Sequence, residues 1–275
     1  MKPRVHVAIA AVLLPSMVFG CEFLVNEAEP LWALVHDADA IVLASVASIE
    51  DPSEPDALPR LHLNVVERWS GKPPHQLAVE STEDLHPGDV VAVFLVKAEQ
   101  GDGWNVYDMP EGLVNASQDD FEVYAARVKE AIAIDEKQEG RISRMEWLVR
   151  CAEHRVTRHD GVRELLPREI DDGDESDRLS IPPFELLTDE HRSRIAGGFI
   201  REPSVDAALP MLLELLGDYE DLRFKREVLA AIEAKAATAP GSAEVFDSAR
   251  AATELWGVTF AGLDTTLGGW KQIVQ

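Results

Sequence analysis

The chain has 275 residues, with 26 Lys or Arg against 50 Asp or Glu, a formal charge of −24. At 46% hydrophobic it can bury a sizeable core, which excludes a chain disordered by composition. The acidic balance and the lack of any Lys/Arg run weigh against nucleic acid and against peripheral binding to anionic lipid, since both require basic clusters.

The first predicted element is an export signal over residues 1–20. Lys2 and Arg4 form a basic start, residues 7–14 (VAIAAVLL) an unbroken apolar run, and Pro15 and Ser16 break it. The run is too short to cross a bilayer, which takes about 20 residues. Removing these twenty residues leaves 24 basic against 50 acidic residues, a mature charge of −26. The stretch Val18-Phe19-Gly20-Cys21 resembles the lipobox of bacterial lipoproteins, in which a small residue precedes the modified cysteine. That resemblance implies a diacylglycerol on the Cys21 thiol and an acylated amine. It places the protein in the cell envelope, on the periplasmic or outer side of a bacterial membrane. A second reading stays open: cleavage after Gly20 releases a soluble protein in which Cys21 pairs with Cys151.

Residues 31–37 (LWALVHD) fit one or two helical turns. Residues 40–49 (AIVLASVASI) are rich in β-branched side chains. Leu61, Leu63 and Val65 alternate with His62 and Asn64, the mark of a half-buried strand. Residues 76–81, 90–97 (VVAVFLVK) and 104–107 give three more strands, separated by turns at Ser70-Gly71-Lys72-Pro73, His86-Pro87-Gly88-Asp89 and 100–103. Five short strands at this spacing predict a small closed or half-closed barrel over 31–112. Three of them, ADAIVLASV, LNVVERWSGKP and PGDVVAVFLV, resemble the netrin-like, OB-type barrel of the tissue inhibitors of metalloproteases and their bacterial relatives. In that family an early Cys-x-Cys pair is bridged into the barrel, and the first cysteine's amine and carbonyl chelate the protease zinc. Here Glu22 and Phe23 follow Cys21, so the resemblance implies the fold and not the inhibitory chemistry.

Residues 118–257 read as helices. Apolar stripes recur at Phe121, Tyr124, Val128, Ala131 and Ile132, then at Ile142, Met145, Leu148, Val149 and Ala152. Thr188 is placed to cap a third helix with Asp189 and Glu190 in its first turn. Residues 209–216, 224–232 and 245–256 carry three more, with Gly257 as a C-cap. Short helices with short links predict stacked antiparallel pairs, and 189–256 resembles HEAT repeats. The tail, 258–275, is rich in Gly and Thr.

Few residues suggest chemistry. Cys151, His154, His159 and Asp160 form the first candidate group: Cys151 and His154 share a helical face at a spacing that zinc sites use, His159 and Asp160 lie past a helix break, and a structural zinc site takes four protein ligands. Residues 171–177 (DDGDESD) cluster oxygens without the EF-hand order. Arg141, Arg144, Arg150, Arg155, Arg158 and Arg163 either receive a carboxylate-bearing partner or balance Glu139, Glu146, Glu153 and Glu164 through neighbouring turns. Asn115-Ala-Ser117 matches a glycosylation sequon, which a bacterial envelope does not use. Phosphate loops, Gly-x-Ser-x-Gly and His-Glu-x-x-His do not occur.

The expectation is an α+β chain: an OB-like β-barrel at 31–112, then a helical domain of stacked antiparallel helices at 118–257. Its expected role is a lipid-anchored, non-enzymatic interaction module for other envelope proteins, with no catalytic residue and no cofactor. Two alternatives are a soluble protease-inhibitor-like module and a metal-dependent hydrolase using Cys151, His154 and His159.

Overall fold

The computed structural model describes residues 29–52, 57–99, 101, 103–109, 112–117, 120–137, 140–166, 186–217, 219–239 and 241–260. The signal sequence, Cys21, the acidic stretch 171–177 and the tail from residue 261 lie outside them.

The fold is α+β. Helix α1 (Leu31–Asp37) leads into strands β1 (Ala40–Glu50), β2 (Arg60–Ser70), β3 (Gln76–Glu80), β4 (Val90–Lys97), β5 (Trp104–Val106) and β6 (Leu113–Asn115). All pairings are antiparallel, in the order β3-β2-β1-β4-β5, with β6 also on β4. Alternation sets the register. Val42 faces Val93, Ala44 faces Val91, Leu63 faces Leu77, Leu61 faces Val79, and Val93 also meets Leu113. These side chains fill one face of the curled sheet as a core of their own. Gly71, at φ +70°, makes the turn after β2 where a Cβ would strike the Asp39 carbonyl oxygen at 2.4 Å.

The sheet does not close into the expected barrel. Curling brings β3 and β5 near each other, but no ladder joins them among the described residues. Closure requires two edge strands that can pair along their length. β5 offers three residues, and β4 turns instead to β6, a strand the sequence pattern did not reveal.

The helices follow: α2 (Phe121–Glu136), α3 (Arg141–Glu153), a 3₁₀ turn (Arg155–Thr157), α4 (Arg158–Leu165), α5 (Asp189–Arg201), α6 (Ala208–Leu215), α7 (Leu222–Thr238) and α8 (Ala243–Trp256). Thr188 caps α5 and Gly257 closes α8 in the left-handed region, as their positions predict. The helices form two rows. α3 packs on α5 and α5 on α7; α4 packs on α6 and α6 on α8. α3 with α4 and α7 with α8 bridge the rows.

A second core runs through these rows and back to the sheet. Ile41 of β1 and Phe94 of β4 point away from the sheet's own core and join Leu31, Leu34, Trp147, Leu148 and Val128. Trp147 is sealed in place: its Nε1 donates to the Arg127 carbonyl at 2.9 Å, and its ring meets Trp32 edge-on at 5.4 Å. At the amino end, two carboxylates hold the backbone. Asp108 accepts from the Glu29 N–H at 2.8 Å, and Asp160 of α4 accepts from the Leu31 N–H at 3.2 Å. Asp160 thereby caps α1, which has no side-chain cap of its own.

Candidate functional site

The Cys-x2-His pair comes apart in the structure. Cys151 sits in the last turn of α3 with 0% of its surface exposed, among the apolar side chains of the helical core. Burial pushes its thiol well up, and the nearby Asp160 carboxylate adds to this, so little nucleophilic or metal-binding thiolate is present. His154 leaves the helix at extended backbone angles, and its Nδ1 stands 4.0 Å from a Glu202 carboxylate oxygen. His159 is exposed on α4. Among the described residues, no three His, Cys, Asp or Glu side chains come together as a metal site. Cys151 is a free thiol there, and its alternative partner, Cys21, lies outside the described residues.

The arginines lie along the seams between elements. Arg144 reaches Glu164 of α4, Arg150 reaches Glu130 of α2 at 3.3 Å, and Arg155 reaches Asp120 at 3.2 Å. Glu146 and Glu153, expected to pair within their own helix, instead take Arg194 of α5 at 3.0 and 2.6 Å. For Glu146 and Glu153, neighbouring-turn pairing is thus replaced by cross-links between helices. The cause is placement: α3 lies between α2, α4 and α5, so its polar side chains meet other helices before they meet the next turn.

The tightest polar cluster is at the start of α5. His191 is 8% exposed. Its Nε2 lies 2.7 Å from Glu146 Oε1, and its Nδ1 accepts from the Thr188 N–H at 3.1 Å. Thr188 Oγ1 accepts in turn from the His191 N–H at 3.3 Å, completing a capping box with histidine in the place of glutamate. Burial alone would raise the Glu146 carboxyl, but hydrogen bonds from Arg194 and His191 outweigh it and hold the group below the ordinary carboxylate range.

Arg158, at the start of α4, is 0% exposed. It donates through Nη1 to Ser204 Oγ at 2.8 Å and through Nη2 to the Glu202 carbonyl at 3.1 Å, and it lies 5.3 Å from the centre of the Phe199 ring. Its Nε has no acceptor. Burial draws its guanidinium below the ordinary value, with Asp206 and Glu202 opposing. Tyr124 and Asp160 form a half-buried polar group beside Cys151, and desolvation raises both. Arg158 belongs to the arginine cluster and Asp160 to the Cys151 group that the sequence marks, whereas nothing in the sequence marks Arg194 or Tyr124 as a site. For His191, the spacing Thr188-x-x-His191 was the only available signal, because it matches a capping box with one substitution.

Taken together, these groups bind the molecule to itself. Among the described residues, the polar clusters join α3 to α5 and α4 to the α5–α6 link. The chain matches no family model, and no curated protein matches it.

Proposed function

We propose that this chain is an exported, lipid-anchored envelope protein that acts as a non-enzymatic interaction module for other envelope proteins. The observation that carries the reading is the double row of helices. Stacked helix pairs present a continuous surface wider than any one pair, the arrangement that repeat proteins use to engage partners. Its polar clusters among the described residues serve the seams between helices, which supports a rigid surface for such contacts. The HEAT-like and netrin-like resemblances belong to this reading as proposals about fold. The anchor rests on Cys21 and the signal-like run before it.

The test has two parts. The intact mass of the native protein should equal residues 21–275 plus acyl chains; an unacylated mass two protons lighter would overturn the anchor in favour of a Cys21–Cys151 bridge. Photocrosslinkers at Ile142 and Leu222, exposed at 72% and 83%, should each give a discrete adduct in intact envelopes. No adduct from either position would sink the interaction reading.

A further inference from the structure

The hydrogen bonds around His191 require a neutral ring. The Thr188 N–H points at Nδ1 from 3.1 Å, so that nitrogen must offer a lone pair. The proton therefore sits on Nε2, which donates to Glu146 Oε1 at 2.7 Å. In an ordinary capping box the third helical residue is Glu or Gln, which accepts at neutral pH. Histidine accepts only while unprotonated, and it is the side chain that changes charge between pH 5 and 8. A proton on Nδ1 turns it into a second donor facing the Thr188 N–H. The ring can re-aim that proton at Thr188 Oγ1, also 3.1 Å away, but the Thr188 N–H then has lost its partner.

The charged groups around the ring pull in both directions. Glu146 of α3 favours the imidazolium, as do Asp189 and Glu190 in α5's own first turn. Arg194, held between Glu146 and Glu153, opposes it, as does the positive end of the α5 dipole. Among the described residues, α7, packed on α5, brings no charged group within ion-pair distance of the ring.

We propose that the start of α5 is a proton-operated latch. Neutral His191 closes the capping box; protonation opens it and frees the first turn of α5 while Glu146 retains the ring. The latch would set how firmly α5 seats on α3, and hence the rigidity of the row of helices around it. Its use in the cell rests on the envelope reading, since an exported chain meets the pH outside the cytoplasm. The latch itself does not depend on that reading.

Hydrogen exchange on the full chain, in a pH series from 7.5 to 4.5 corrected for intrinsic rates, tests it. The amides of the first turn of α5 should open about fivefold more readily at pH 5.0, the equivalent of losing one helix cap. Amides of α8 should be unchanged. In His191→Gln, which keeps an acceptor but cannot change charge, the pH effect should vanish. In Glu146→Gln, which removes the carboxylate favouring the imidazolium, opening should need a lower pH. Equal protection at pH 7.5 and 5.0 in the wild type would overturn the latch. So would a pH effect that survives in His191→Gln, or an unshifted midpoint in Glu146→Gln. None of these readouts depends on acylation, so failure of the latch and failure of the anchor are separable.

Discussion

A guanidinium at 0% exposure is costly to bury where no carboxylate among the described residues hydrogen-bonds to it, and Arg158 is such a group. What it gains is geometric: it ties α4 to Ser204 and to the Glu202 carbonyl while covering the Phe199 ring. Replacing it by alanine leaves a cavity and two polar atoms without a donor, and should destabilise by about 2–4 kcal/mol. Arg158→Met keeps the volume and removes the charge, and should lose less than half as much in a urea titration. Equal losses would mean that the hydrogen bonds dominate. Asp160 is the acidic counterpart. Burial of its carboxyl raises it above the ordinary aspartate range, so the folded chain holds this proton more tightly than the unfolded chain does. Stability from this group is therefore greatest below the ordinary aspartate range and is lost as pH rises through the raised value. Asp160→Asn keeps an acceptor for the Leu31 N–H and should stabilise the protein at pH 7 by on the order of 1 kcal/mol. The gain should disappear near pH 3.5.

The elements show which rules were legible in the sequence. β2 and β3 alternate because one face is buried in the sheet's own core, whereas β4 reads as a continuous apolar run because both its faces are buried. β6 shows neither pattern, since three residues carry no period. Helix α4 was missed for a related reason: RHDGVREL has only two apolar residues, and Gly161 reads as a breaker. In the structure Gly161 is what lets α4 lie against α3, because a Cβ there would stand 2.4 Å from the Ala152 nitrogen and 2.6 Å from the Leu148 oxygen. Gly198 does the same for α5, with the Glu153 carbonyl oxygen at 2.3 Å. Both contacts are with backbone, which cannot step aside as a side chain can. Gly161→Ala and Gly198→Ala should each cost about 1–3 kcal/mol, read from urea midpoints, although alanine is the better helix former. A gain in stability from either change would refute the close packing. The pairing of Glu146 with Arg194 was equally hidden, since 48 residues separate them and no local spacing announces the contact.

At the scale of the whole molecule, charge is the dominant quantity. An excess of 24 negative charges repels itself within a compact body. The seam arginines offset this locally, where α3 meets α2, α4 and α5. Raising sodium chloride from 20 to 200 mM should therefore lift the melting temperature by on the order of 2–4 °C, through screening. A fall would show that the seam ion pairs outweigh the long-range repulsion. The two cores should melt in one step, because Ile41 and Phe94 belong to the sheet by backbone and to the helices by packing.

The carboxylates of Asp108 and Asp160, which accept from the Glu29 and Leu31 N–H groups, have a mechanical consequence. A pull on the amino end of the described chain does not peel α1 away from its tip. Two grips take the load first, one on the loop after β5 through Asp108 and one on α4 through Asp160. These lie 52 residues apart in sequence, so tension is divided between the sheet and the helices instead of unzipping either. A body held in this way can be tugged from its amino end without its first helix acting as the weak link.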